Sequence, residues 1–201
     1  MKLTIQQLQR TKDLGGKDFD DYFKKSSAML IEQIDNLSRI AGTFSNFARM
    51  PEANFLRIDI AARLYSVVQL FANSNEHILL DYSGAEESVF VYADPEQMVQ
   101  IFNNLLKNAI QAIPENREGK IHVNLSTDNK QVKISISDNG AGIDPTLHDK
   151  LFIPNFTTKS TGMGLGLAIT KNIIELSGGA ISFKTEPDKG TTFVVVLPES
   201  I

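Results

Sequence analysis

Apolar residues recur every three or four positions through the first fifty residues, and this spacing predicts a long helix. The helix should begin after the Gly15-Gly16 break, where acidic residues between positions 18 and 21 suit the positive end of a helix dipole. Pro51 should end it. The apolar positions form a heptad seam wider than a two-stranded coiled coil needs, which indicates a bundle face. The seam comprises Phe23, Ser27, Leu30, Ile34, Leu37, Ala41, Phe44 and Ala48, widened by Ile31, Ile40 and Phe47.

A shorter helix-compatible stretch, 1–13, precedes this helix and places Met1, Ile5 and Leu8 along one side. The first fifty residues therefore predict a helical hairpin. The hairpin carries more apolar surface than two helices can hide from each other, so the seam must pack either against a second copy of the chain or against the downstream domain.

From residue 54 onward the pattern changes to short strands that interleave with helices. Strands are predicted at 55–58, 77–82, 89–92, 121–126, 132–137, 180–185 and 192–197, and helices at 60–72, 95–113 and 165–176. The order lacks strict βαβ alternation, which favours an α+β two-layer sandwich. We expect a domain boundary near residues 51–54 that divides the chain into residues 1–52 and 53–201.

The helix at 95–113 has the clearest start and stop signals. Asp94 is predicted as its N-cap, Pro95 as its first residue and Glu96 as the acid of its first turn, and Pro114 follows its end. Asp59 is predicted to cap the helix at 60–72 in the same way. The predicted buried face of the 95–113 helix comprises Met98, Ile101, Phe102, Leu105, Ala109, Ile110 and Ile113.

Two asparagines, Asn104 and Asn108, lie one turn apart on the edge of that helix and point the same way. Gln97 and Gln111 share the row, and Lys107 lies beside it. Two amide oxygens at this spacing can bind a hard cation whose other ligands are water and phosphate oxygens, as Mg²⁺ does. The alternative is a solvated polar edge, but the glycine-rich segments downstream favour the metal site.

Two glycine clusters follow. Asp138-Asn139-Gly140-Ala141-Gly142 comes directly after a strand, and Gly162-Met163-Gly164-Leu165-Gly166-Leu167 opens a helix. Glycines let backbone amides approach a ligand, and a helix N-terminus binds anions. The two clusters predict one nucleotide pocket, in which the Asp138 carboxylate reads the base and the glycines bind phosphates. Ordinary turns are one alternative. A dinucleotide-binding fold is another, disfavoured because about twenty residues separate its strand from the second cluster.

Composition narrows the function classes. A net charge of −4 and a pI near 5.4 argue against nucleic acid or an anionic membrane as partner. No apolar run approaches the length of a membrane span, and the absence of cysteine fits a reducing compartment. We therefore expect a cytoplasmic protein that makes no membrane contact through these residues.

Residues 94–198 resemble the ATP-binding domain of sensor histidine kinases, within the superfamily shared with gyrase, Hsp90 and MutL. The resemblance implies a Bergerat-type two-layer α/β sandwich with ATP and Mg²⁺ as cofactors. It is carried by Asn104-Leu105-Leu106-Lys107-Asn108-Ala109 (asparagine box), the first glycine cluster, Phe152-Ile153-Pro154-Asn155-Phe156-Thr157-Thr158-Lys159 (phenylalanine box), the second glycine cluster, and Gly190-Thr191-Thr192-Phe193 with Leu197-Pro198.

The resemblance implies roles for individual residues. Asp138 would accept a hydrogen bond from the adenine amine, supported by Thr191, while Asn108 and Asn104 would hold Mg²⁺. Residues 148–162 would form a mobile lid, with Lys159 near the terminal phosphate and Lys107 in the catalytic set. The remaining implied nucleotide-binding residues are Gly140, Gly142, Ile143, Phe156, Thr157, Thr158, Gly162, Met163, Gly164, Leu165, Gly166 and Leu167.

Residues 36–51 are similar to the second helix of the family's dimerisation and phosphoacceptor hairpin, in its NtrY-like, nitrogen-sensing subgroup. The family's phosphoacceptor histidine lies in a His-Glu/Asp-x-x-Asn/Thr-Pro box, and none of His77, His122 or His148 has that context. His77 and His122 are expected in strands as partly buried, hydrogen-bonded side chains. His148, at the edge of the lid, could contact phosphate. We expect the chain to begin just after the phosphoacceptor box.

The resemblance implies a kinase that transfers the γ-phosphate of Mg-ATP to a histidine of a dimerisation domain, for relay to the receiver domain of a response regulator. It also implies a homodimer formed through the N-terminal helices. Three alternatives remain: a serine kinase of the anti-sigma-factor type, an ATP-driven clamp like gyrase, Hsp90 or MutL, and a nucleotide-binding module without catalysis.

Overall fold

The computed structural model describes residues 5, 17–48, 53–72, 77–84, 87–157 and 164–200. The chain divides into two compact units, Met1–Pro51 and Glu52–Ile201. The short helix predicted at 1–13 lies outside the described residues except for Ile5, which is helical. Within the described ranges, none of the helices combines the length and the apolar character needed to cross a bilayer.

The first unit contains one long helix, α1 (Lys17–Ala48), whose start agrees with the predicted acidic first turn. Several apolar side chains of its stripe face solvent: Phe23 is 51% exposed, Ile31 59% and Ile34 52%. Side chains that pack against a protein core are less exposed than this. This part of the seam, called the apolar stripe of α1 below, therefore presents an uncovered apolar surface.

The second unit is an α+β two-layer sandwich, as predicted. Its elements are β1 (Leu56–Asp59), α2 (Ile60–Ala72), β2 (Ile78–Ser83), β3 (Phe90–Ala93), α3 (Pro95–Ala112), β4 (Gly119–Asp128), β5 (Gln131–Asp138), a 3₁₀ helix (Pro145–Lys150), α4 (Gly166–Leu176), β6 (Ala180–Glu186) and β7 (Gly190–Pro198). Five strands form one sheet in the order β2-β4-β5-β7-β6, and β1 pairs with β3 in a separate two-stranded sheet. In the larger sheet β2 runs parallel to β4 and the other pairs are antiparallel.

The core lies between the five-stranded sheet and the helices. Burial alternates along β4, β5 and β7, so one face of the sheet is apolar and buried while the other is more exposed and mostly polar. The helix α3 contacts α2, α4 and β5, which places it in the middle of the helical layer. This position also explains why Leu106 is fully buried although it was not among the predicted core residues.

The predicted caps are present. Asp94 accepts hydrogen bonds at Oδ1 from the amides of Glu96 (2.9 Å) and Gln97 (3.0 Å), so it caps α3. Asp59 accepts from the amides of Ala61 and Ala62 at 3.1 and 3.2 Å and caps α2.

Two details of the core prediction were wrong. Ile110 and Ile113 are half-buried, not buried. Ile113 is the C-cap of α3 with extended backbone, so its side chain no longer follows the helical period.

Candidate functional site

The Asp138 carboxylate lies at the end of β5, with 8% of the residue exposed. Its Oδ1 accepts hydrogen bonds from the amide of Gly140 at 2.8 Å and from the amide of Thr191 at 3.3 Å. A buried carboxylate needs such donors because desolvation penalises its charge. Two backbone segments therefore fix the orientation of this side chain: the first glycine cluster (residues 138–142), called the first glycine loop from here on, and the start of β7.

The glycines beside Asp138 permit a close approach of backbone that a side chain would block. Gly142 has φ +71°, and a Cβ there would overlap the Glu186 carbonyl oxygen. Gly190 has φ +117°, and a Cβ there would overlap the Asp138 carbonyl oxygen. The β6–β7 hairpin can therefore close directly against the first glycine loop.

Further hydrogen bonds hold this loop between α3 and the hairpin. The amide of Ala141 donates to the Ala112 carbonyl at 2.9 Å, and the amide of Asp188 donates to the Ala141 carbonyl at 2.8 Å. The amide of Ile143 donates to Thr185 Oγ1 at 2.9 Å. The loop is thus fixed on both sides at the end of the sheet.

Thr191 is buried, and its hydroxyl lies 3.0 Å from Thr185 Oγ1. Its amide donates to Asp138 Oδ1 at 3.3 Å. This backbone contact puts Thr191 beside the carboxylate, and its expected support of the adenine contact stays a prediction.

Asn104 connects α3 to the start of α4. Its Nδ2 donates to Thr170 Oγ1 at 2.9 Å, and a Cβ on Gly166 would overlap its Oδ1. The Oδ1 of Asn104 therefore lies at the N-terminus of α4, and as an amide oxygen it can accept hydrogen bonds. Asn108 follows one turn later on α3 and is half-buried, and Lys107 is exposed.

A groove of about 520 Å³ runs along α3 beside Asn104. Its lining residues are Glu96, Val99, Gln100, Asn103, Asn104, Lys107, Gly166, Ile169 and Thr170. Lys107 thus lies on the groove and not among the residues that hold Asp138.

The second glycine cluster begins α4. Gly164 has φ +66°, and a Cβ there would overlap the Phe156 carbonyl oxygen. The phenylalanine box and the second glycine cluster are therefore in contact. Leu165, the N-cap residue, is buried, and among the described residues no side chain caps the N-terminus of α4. Uncapped amides at a helix N-terminus are donors for an anion. Leu167, in the first turn of α4, is half-buried.

Part of the predicted lid belongs to the described residues. Phe156 is half-buried and Thr157 is exposed, whereas Thr158, Lys159, Gly162 and Met163 lie outside the described residues.

The three histidines lie in different environments. His148 Nε2 lies 3.3 Å from the Ile143 carbonyl oxygen, and its ring packs edge-on against Phe183. His122 lies in β4 with a side chain that is 48% exposed, and its two ring nitrogens face Asp81 (2.9 Å) and Ser83 (3.2 Å). His77 is exposed and precedes β2 instead of lying in it.

Sequence reasoning missed Arg117, which donates to three backbone carbonyls around the first glycine loop. No local pattern marks this arginine, because its partners lie 22 to 71 residues away.

A buried carboxylate at a strand end, a glycine loop closed by a hairpin and an uncapped helix N-terminus define a nucleotide-binding α+β domain. The comparisons with known proteins agree. The model of the histidine kinase-, DNA gyrase B- and HSP90-like ATPases matches residues 93–201.

The chain is 35% identical over 176 residues to the sensor histidine kinase ZraS of Escherichia coli strain K12, covering 86% of this chain and 37% of that protein. It is 31% identical over 173 residues to a putative NtrY-like sensor histidine kinase of Rickettsia conorii, covering 86% of this chain and 28% of that protein. The chain thus spans about a third of the length of these curated relatives.

Among solved structures, the nucleotide-free catalytic domain of the histidine kinase ThkA is 32% identical, with a TM-score of 0.65. The match covers 73% of this chain and 96% of that domain. The chain therefore belongs to the family of histidine kinase-, DNA gyrase B- and HSP90-like ATPases, as a catalytic ATP-binding domain of the histidine kinase type. The resemblance stated from the sequence boxes is confirmed, and ATP is the nucleotide that this family binds.

Proposed function

We propose that the chain supplies the ATP-binding catalytic part of a two-component sensor histidine kinase. It would transfer the γ-phosphate of Mg-ATP to a histidine of a dimerisation domain. The observation that carries this proposal is the buried Asp138 carboxylate, held by the amides of Gly140 and Thr191 in a domain of the histidine kinase family. Such a carboxylate can accept a hydrogen bond from the exocyclic amine of adenine and so select ATP.

The residues present fit a magnesium ion. Asn104 directs its Oδ1 toward the start of α4, where the free amides favour phosphate, and Asn108 follows one turn away on the same helix. Amide oxygens are suitable ligands for Mg²⁺, which usually takes phosphate oxygens and water as well. When bound, the ion would neutralise negative charge on the phosphates.

Phosphoryl transfer depends mainly on positioning and on charge stabilisation. In this proposal Asp138, Gly140, Gly142, Ile143 and Thr191 hold the base end of the nucleotide. The phosphate end belongs to Lys107, Phe156, Thr157, Thr158, Lys159, Gly162, Met163, Gly164, Leu165, Gly166 and Leu167, most of which lie in or beside the proposed lid at 148–162.

Residues 1–52 would form part of the dimerisation hairpin and residues 53–201 the catalytic domain. The exposed apolar stripe of α1 supports a homodimer. A receiver domain of a response regulator is the proposed second partner. In support, a structure of the histidine kinase ThkA in complex with the response regulator TrrA has this fold, with a TM-score of 0.69 at 24% identity.

A phosphotransfer assay tests the proposal. The chain is incubated with γ-labelled ATP and Mg²⁺, together with a separately purified hairpin that bears the family's histidine box. Label on the hairpin that is acid-labile and stable in alkali supports a histidine kinase. Acid-stable label on a protein serine indicates the anti-sigma-factor type of kinase instead, and ATP binding without any transfer indicates a non-catalytic module.

A further inference from the structure

Arg117 lies in the turn after α3, and one nitrogen of its guanidinium joins three backbone carbonyls. Its Nη1 donates to the carbonyl oxygens of Asn139 at 2.7 Å, Gly140 at 3.0 Å and Asp188 at 3.0 Å. Hydrogen bonds from a charged donor are stronger than those between neutral groups. A single half-buried cation therefore connects the turn between α3 and β4 with the first glycine loop and the β6–β7 turn.

The two segments that Arg117 joins are the same two that hold Asp138. Gly140 accepts from Arg117 through its carbonyl and donates to Asp138 Oδ1 through its amide. Asp188 precedes Thr191 by three residues in the hairpin, and the Thr191 amide is the other donor to Asp138 Oδ1. Arg117 is thus linked to the carboxylate through a single residue, Gly140, on one side. On the other side the link runs through the hairpin backbone from Asp188 to Thr191.

Other bonds hold the loop in place without Arg117. The Ala141 amide is bonded to the Ala112 carbonyl, and the Asp188 amide to the Ala141 carbonyl. Asn139 is bonded through its side chain to Glu118 and Lys120. Loss of Arg117 would turn three carbonyls toward water, which displaces or loosens the loop without unfolding the domain.

We propose that Arg117 is a positioning residue for base recognition. Its hydrogen bonds to the three carbonyls fix the positions of the Gly140 and Thr191 amides. These amides in turn orient the Asp138 carboxylate toward the adenine amine. The inference rests on the proposed ATP site. If the loop samples several conformations, the apparent affinity for the nucleotide is proportional to the fraction of molecules in the conformation that can bind. Arg117 increases that fraction and so raises the affinity without contacting the nucleotide.

Calorimetric titration of Arg117→Met with ATP, ADP and ITP, each with Mg²⁺ and with EDTA, tests this role. We expect about tenfold weaker binding of ATP and of ADP, as if the competent placement fell to about a tenth of the population. The factor should be the same with and without Mg²⁺. The preference for ATP over ITP should shrink, since ITP carries a carbonyl where adenine carries the amine that Asp138 selects.

Two further variants complete the test. Lys120→Met removes a nearby exposed cation and should leave affinity and selectivity at wild-type values. Arg117→Lys keeps a positive charge that can donate to carbonyls but carries it as a compact, strongly hydrated ammonium on a flexible side chain, so its ATP-over-ITP ratio should lie between those of wild type and Arg117→Met. Circular dichroism establishes that each variant is folded. If Arg117→Met does not fold, the ATP-over-ITP affinity ratio of Arg117→Lys is the test. A wild-type ratio in Arg117→Lys then overturns the inference.

The remaining outcomes are distinct. Wild-type protein that binds no adenine nucleotide overturns the proposed function and this inference together. Wild-type protein that binds ATP, beside an Arg117→Met variant with unchanged affinity or an unchanged ATP-over-ITP ratio, overturns only the role of Arg117. A loss confined to ATP, or one that needs Mg²⁺, also overturns it, because it would place Arg117 on the phosphate side.

Discussion

The amide of Thr191 donates to Oδ1 of Asp138 at 3.3 Å, across 53 residues of sequence. This contact joins the start of β7 to the end of β5 and closes the base end of the proposed site. It is possible because Gly190 packs against the Asp138 carbonyl, where a Cβ has no room. The carboxylate is therefore held before any nucleotide arrives, which is the preorganisation that selective binding needs.

Replacing Asp138 with Asn should nearly abolish ATP binding and leave the fold intact. The amide oxygen of Asn can still accept from Gly140 and Thr191, but its NH₂ group then faces the adenine's own donor. An unmade buried hydrogen bond costs about 1–3 kcal/mol. Isothermal titration calorimetry measures the loss, with the exposed Asp128→Asn as a control that should bind normally. Wild-type affinity in Asp138→Asn would remove Asp138 from base recognition.

Asn108→Ala should weaken nucleotide binding far more in Mg²⁺ than in EDTA, because the lost oxygen serves the metal. Titration under both conditions gives the two ratios directly. Asn103→Ala, on the same helix and lining the groove, is the matched variant and should show no such dependence on Mg²⁺. Equal losses for Asn108→Ala in the two buffers would assign this residue a structural role.

The apolar stripe of α1 should drive homodimerisation. Ile31 and Ile34 are more than half exposed, and burial of such side chains against a second copy stabilises association. Sedimentation equilibrium at tens of micromolar should show a dimer that Ile31→Glu with Ile34→Glu dissociates, while the exposed Glu32→Gln leaves it unchanged. A monomeric wild-type chain at that concentration would contradict the prediction.

The 201-residue chain should bind Mg-ATP yet acquire no phosphohistidine by itself. None of its three histidines lies in a phosphoacceptor box. The His148 ring packs on Phe183 beside the Ile143 carbonyl, and His122 pairs with Asp81. Incubation with γ-labelled ATP should therefore leave no acid-labile, alkali-stable phosphate. Stoichiometric label that disappears in His148→Ala would instead make His148 the acceptor.

Asp94 should make stability depend on pH. Burial raises the pKa of its carboxyl, but hydrogen bonds from the amides of Gln97, Asn54 and Glu96 outweigh this and hold the pKa below its ordinary value of 3.8. A carboxyl with a lowered folded-state pKa stabilises the fold above its unfolded pKa, and the contribution is lost as pH falls through the folded value.

Asp94→Ala should therefore cost about 1–2 kcal/mol of unfolding free energy at neutral pH, the usual value of an N-cap. The difference from wild type should shrink as the pH is lowered to about 3. Urea denaturation across this range measures it. Asp94→Asn, which keeps an acceptor oxygen and loses the charge, should show a flatter profile than wild type. A difference between wild type and Asp94→Ala that stays constant with pH would show that the charge of the cap is irrelevant.

Sequence pattern was most informative where the physical cause is local. Asp94 and Asp59 were identified as caps because an N-cap side chain bonds to amides two or three residues ahead. The α3 and α4 helices and the strands of the sheet followed from apolar periodicity, with boundaries within a few residues. Strand ends were less accurate because pairing continues wherever a neighbouring strand offers partners: β4 begins at Gly119, two residues before the predicted strand, where Gly119 pairs with Ile78.

For the candidate site, too, the sequence identified some features and only the tertiary structure decided others. The order of the asparagine, glycine and phenylalanine boxes in the sequence determined the family and named Asp138 and Asn108 as candidate residues, whose roles stay predictions. Tertiary structure alone decided that Asn104 bonds Thr170, that the Thr191 amide supports Asp138, and that Arg117 gathers three carbonyls. These contacts join residues 22 to 71 positions apart, and such pairs leave no periodicity or spacing in one sequence, because only the packing of the sheet and helices brings them together.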